Sequence, residues 1–204
     1  MINYVRKDLS TTKWYHFIAL VVSMSATGLL CLDRGNYSFM GLYICLATCF
    51  TYIIGQSCFF DEKGESKNWI KTLPHYAGQI VDSKFVLSLF TIAEGSCLYL
   101  ISNLLIATIT PYRVSFSSEI FILMGSFQLA YIALFLYLFY RYSYSIARSS
   151  MLLMLVALLL TKMIGSGKYL HIPDIPFESL PYITLIAGVV VFILSWLNCR
   201  KRIK

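Results

Sequence analysis

Residues 85–109 carry a single charged side chain, Glu94, within an otherwise apolar run. A run of that length spans a hydrocarbon core as a helix, which needs about 20 residues. Five further runs follow the same rule, at about 15–32, 39–60, 119–140, 151–166 and 182–198. Lipid offers no hydrogen-bond partners, so the backbone in each run must satisfy itself as a helix. Composition agrees. The chain of 204 residues is 58% hydrophobic and 13% charged, whereas soluble domains run near 25% charged. The expectation is therefore all-α: a single transmembrane domain over residues 1–204 with six spans. The N-terminal stretch has no small-residue cleavage site after its apolar run, so the first run reads as a membrane helix and not as a cleaved leader.

The longest polar interval, residues 61–84, separates the second and third spans. It holds Asp61, Glu62, Glu65 and Asp82 with Lys63, Lys67, Lys71 and Lys84. Trp69, Ile70 and Leu73 recur at helical spacing, and Pro74 closes the stripe. This pattern suits either a short amphipathic helix lying at a membrane face or a solvated loop. Residues 1–13 form a basic arm with weak amphipathic character, and Trp14–Tyr15 fits a headgroup belt.

Charge orients the chain. The arm, the 61–84 interval, the link 141–148 and the C-terminal tail hold 13 of the 17 Lys and Arg residues. With six spans these segments share one side, and positive charge marks the cytoplasm. Both termini are therefore expected in the cytoplasm of a multi-pass protein. The net charge of +7 is spread along that edge, where it meets anionic lipid headgroups. No basic patch with interleaved aromatics points to nucleic acid.

Catalytic and metal-binding signatures are missing. His16, His75 and His171 are far apart in this topology, and no CxxC pair is present. Gly165-Ser166-Gly167-Lys168 fails as a phosphate-binding loop, because Lys162 stands where the first glycine is needed and Tyr169 follows the lysine. Lys162 reads as a snorkelling side chain near an interface. Glu94 stands apart. A carboxylate inside a span is costly and normally faces a bundle interior or a wet path. Ser88, Thr91 and Ser102 lie on its arc. The four residues are candidates for a translocation path, with interhelical packing as the other reading.

The run Asp61-Glu62-Lys63, Trp69, Thr72-Leu73-Pro74, Ile80-Val81 and Ser83-Lys84 resembles the bacterial ABC-2 type permease family. There an acidic–Lys pair, a Ser-Leu-Pro and an Ile-Val-x-Ser-Lys-Tyr follow in the same order between spans two and three. The pattern is most similar to small permeases that export amphipathic peptides, such as phenol-soluble modulin exporters and lantibiotic-immunity pumps. Thr72 replaces the usual Ser, Phe85 the usual Tyr, and no Arg follows Pro74.

The resemblance implies a type V exporter-like fold in a bacterial cytoplasmic membrane. It implies a transport subunit with no catalysis of its own. ATP and Mg would be bound by two separate cytoplasmic ATPase subunits. A second permease subunit, identical or paralogous, would complete the membrane part. Glu62, Lys63, Lys67, Trp69, Ile70 and Leu73 would couple the ATPase to the spans. The cargo would be an amphipathic or hydrophobic peptide, drug or lipid. The loop 168–181 would hold short outer helices. The alternatives from the residues alone are an ion- or proton-coupled carrier or channel using Glu94, and a membrane enzyme or scaffold.

Overall fold

In a computed structural model that describes residues 2–32, 38–64, 74–109, 118–150 and 180–202, every regular element is helical. Helix α1 (Ile2–Leu32) is continuous. The basic arm is therefore the first part of the helix that carries the first expected span, and not a separate surface element. Helix α2 (Ser38–Cys49) passes through a π-helical stretch, Phe50–Gly55, directly into α3 (Gln56–Lys63). The Gly64 backbone N–H closes α3 by donating to the Phe60 carbonyl at 2.9 Å.

Helix α4 (Pro74–Ile109) has 36 residues. Hydropathy alone starts this span at residue 85, and the structure moves the start of the helix back to Pro74. Proline suits a first helical turn, where its missing N–H has no intrahelical partner to lose. Half of the polar interval is thus the base of a long helix. Helix α5 (Ser118–Arg141) and helix α6 (Leu180–Arg202) match the fourth and sixth expected spans, and α6 runs on into the basic tail. A short break after Arg141 ends where helix resumes at Tyr144. The fifth expected span, with Lys162, His171 and most of the loop 168–181, lies outside the described residues.

Four stretches among the described residues are long and apolar enough to cross a membrane: Gly41–Lys63, Gly78–Thr108, Ser118–Arg141 and Leu180–Lys201.

Two modes of packing hold the bundle. The α2–α3 unit meets α5 through aromatic rings. Phe50, in the π stretch, stands edge-on to Tyr131 and to Phe135, each at 5.0 Å between ring centres. Helices also approach through small residues, as lipid-embedded helices do. Helix α1 turns a stripe inward that consists of Asp8, Thr12, Ala19, Ser23 and Thr27, all buried. Ser23 and Thr48 of α2 share a hydroxyl hydrogen bond at 2.6 Å. At Gly95 of α4, an added Cβ would lie 3.0 Å from the Leu46 Cα and 3.1 Å from the Cys45 carbonyl oxygen.

The tightest crossing joins α5 and α6. A Cβ at Gly188 would meet the Ser126 carbonyl oxygen at 2.9 Å, and the Ser126 hydroxyl reaches Thr184 at 3.2 Å. Gly188→Val should therefore force the two helices apart at a cost of about 1–3 kcal/mol. Equilibrium unfolding in mixed micelles measures it. An unchanged midpoint would mean that α5 and α6 yield freely at this point.

Candidate coupling site

The chemistry gathers where the α2–α3 unit ends and α4 begins. Asp61, in the last turn of α3, is 6% exposed. Lys84, on the third turn of α4, is 1% exposed. Asp8 of α1 is 3% exposed. These three charges meet. The Lys84 ammonium lies 2.6 Å from Asp61 Oδ2 and 3.0 Å from Asp8 Oδ2. It also donates to the Ser57 hydroxyl. Lys7, whose side chain is half exposed, approaches the other Asp61 oxygen at 3.0 Å. Two carboxylates and two ammoniums thus form a neutral quartet spanning α1, α3 and α4. Neutrality matters, since an isolated buried ion is costly while a paired one with satisfied hydrogen bonds is tolerated.

Two further contacts tie this region to the rest of the bundle. The Glu62 carboxylate accepts the Tyr144 backbone N–H. Its negative charge therefore sits at the positive end of the helix that starts there. Asp82 of α4 accepts the Trp196 indole N–H at 2.7 Å and faces Arg200 at 3.8 Å. Arg200 in turn lies over the Trp196 ring. Residues just before and just after 65–73 are thereby bonded to α1, to α6 and to the segment after α5.

A second polar contact lies further along α1. One face of this helix presents Asp8, Thr12 and His16 at successive turns. The Thr12 hydroxyl donates to the Asp8 carbonyl at 2.7 Å and lies 3.4 Å from His16 Nε2. His16 Nδ1 is 2.9 Å from both carboxylate oxygens of Glu94. With the ring proton on Nδ1, the imidazole donates to Glu94 and cross-links α1 to α4.

Of the expected coupling residues, Glu62 and Lys63 are described; Lys67, Trp69, Ile70 and Leu73 lie outside the described residues. Glu62 points inward to Tyr144. Lys63 is exposed, 5.9 Å above the Phe59 ring. Of the residues on the Glu94 arc, Ser88, Thr91 and Ser102 are buried. Each donates to a carbonyl of its own helix, at Phe85, Ser88 and Leu98 respectively. Glu94 is partly exposed, and its partner is His16. His16 is therefore an interhelical contact. The inward roles of Asp8 and Lys84 went unread in the sequence. Asp8, Thr12 and His16 at intervals of four were the available signal.

The sequence model of a family described as ABC-2 family transporter protein matches residues 3–204. The chain belongs to that family. No curated protein and no solved structure matches it. As an ABC-2 transporter protein it is a membrane permease component of an ABC transporter, working with an ABC ATPase partner.

Proposed function

We propose that this ABC-2 permease exports an amphipathic or hydrophobic cargo, such as a peptide, through a membrane pathway shared with a second permease subunit. Two cytoplasmic ATPase subunits, which carry the ATP and Mg, sit under it. Both termini face the cytoplasm, and six spans in a type V exporter-like arrangement complete each subunit. Residues Lys63 to Leu73 form the contact with the ATPase, with Trp69, Ile70 and Leu73 as its apolar face. The observation that carries this reading is the bonding around that connector. Asp61 and Lys84, one on each flank, are both held by α1, Glu62 by the segment after α5 and Asp82 by α6. A displacement of the connector is thus passed to α1, to α6 and to the segment after α5 together, as a lever requires. The cargo class rests on the resemblance to peptide exporters and on the aromatic, weakly charged spans.

The test is co-purification with the candidate ATPase in detergent. Lys63→Glu with Lys67→Glu should abolish co-elution while leaving the permease monodisperse. Glu62 is left untouched because its carboxylate is committed to Tyr144. Co-elution unchanged by the double reversal would place the ATPase contact elsewhere.

The His16–Glu94 pair favours a second reading, an ion- or proton-coupled carrier. That reading predicts flux driven by an ion gradient in ATP-free proteoliposomes, lost in Glu94→Gln. Flux that requires ATP under a clamped gradient removes it.

A further inference from the structure

The quartet of Lys7, Asp8, Asp61 and Lys84 contains more bonds than it needs. Three ion pairs link it: Lys7–Asp61, Asp61–Lys84 and Lys84–Asp8. Removing the middle one leaves two pairs, Lys7–Asp61 and Asp8–Lys84, and each is neutral by itself. The outer pairs have a common owner. Lys7 and Asp8 are adjacent residues of α1, so one outer pair binds α1 to α3 and the other binds α1 to α4. The middle pair is the one that binds α3 directly to α4.

From this arrangement we propose that the quartet is a hinge in which α3 and α4 part by breaking Asp61–Lys84 while α1 keeps hold of both. Lys7 and Asp8 are then positioning residues for transport. They compensate Asp61 and Lys84 in the separated state, which would otherwise expose a bare ion to a low-dielectric site. The other groups around Lys84 fit the same motion. Ser57 lies on α3 and leaves with Asp61. Asp82 is already engaged by Trp196 and Arg200 of α6, so it is not a substitute partner for Lys84. The inference rests on the permease reading only for what drives the hinge, namely force applied to the connector between α3 and α4. The order in which the pairs break is a property of the chain alone.

The experiment measures the distance between spin labels at position 63, at the end of α3, and position 79, on the first turns of α4. The exposed thiol of Cys97 is replaced by Ser. In the purified permease without ATPase, Asp61→Asn should lengthen this distance, because the middle pair is gone and both ammoniums remain served by Asp8 or water. Asp8→Asn should leave it unchanged, because Lys84 then depends wholly on Asp61. Equal lengthening in both variants, or none in Asp61→Asn, overturns the hinge.

In the complex with ATPase, ATP should lengthen the distance in the native protein. Asp8→Asn should block that change and lower transport about tenfold or more, since separation now strands Lys84. Asp8→Glu should restore both. If Asp8→Asn does not insert, Lys7→Ala serves in its place. Lys7 is half exposed and its loss is tolerated in the closed state, but opening would bare Asp61. A full ATP response in Lys7→Ala overturns the hinge. If no ATPase binds, the permease reading fails, while the Asp61→Asn distance still decides the hinge.

Discussion

Lys84→Met will be among the most destabilising single substitutions in this chain. Methionine fills much of the space of the lysine stem, so packing changes little. The charge is what is lost. Asp8 and Asp61 remain, both almost completely buried, with only the half-exposed Lys7 between them. Removing one partner of a buried ion pair costs about 3–5 kcal/mol, chiefly because the remaining ion is left uncompensated. The expected result is a strongly lowered unfolding midpoint in SDS titration, with reduced yield. The double variant Asp8→Asn with Lys84→Met should recover most of the loss. It leaves Lys7–Asp61 as a neutral pair and replaces the other pair by uncharged groups. A double variant no more stable than Lys84→Met alone would show that the ammonium acts through its hydrogen bond to Ser57 or through packing, and not through charge balance.

The quartet also marks where the sequence stops being legible. Apolar runs longer than a bilayer give the helices well: α5 falls within a residue of its expected limits at each end. Hydropathy, however, treats every charge as a surface mark. It therefore assigns Lys84 to a polar link and Asp8 to an arm, when each supplies what makes the other's burial tolerable. Their separation along the chain hides the pairing. Helix α1 is obscure for a related reason. Its buried stripe of Asp8, Thr12, Ala19, Ser23 and Thr27 is small and polar, while its large apolar side chains such as Trp14, Phe17 and Val21 are exposed. A search for an apolar stripe finds the outward face. In a lipid-embedded bundle, close approach of small residues takes the place of apolar burial as the sign of a contact.

Glu94 is conspicuous by hydropathy, yet its partner His16 is not, because its only signal is the polar spacing of Asp8, Thr12 and His16, which a search for apolar stripes passes over. The family motif includes Asp61 and Lys84 without giving them a role, and in the structure they bind each other.

Leu73→Asp combined with Trp69→Ala should uncouple the transporter, lowering transport by about two orders of magnitude while ATP hydrolysis by the partner continues. The size reflects what each change removes. Truncating a tryptophan at the centre of a contact costs about 2–4 kcal/mol, and each 1.36 kcal/mol is tenfold in rate. A carboxylate at Leu73 adds the cost of bringing an unpaired charge against an apolar groove. Neither position belongs to the quartet, to the Glu62–Tyr144 contact or to the Asp82–Trp196 contact. The unfolding midpoint should therefore stay at the native value, which separates uncoupling from misfolding. Parallel assays of cargo export and phosphate release in proteoliposomes read the two activities. Loss of both, with a lowered midpoint, would mean that Trp69 and Leu73 are buried within the permease itself. Retention of both would move the lever out of the connector, and the anchoring of Asp61, Glu62, Asp82 and Lys84 would then serve the bundle's stability instead of its motion.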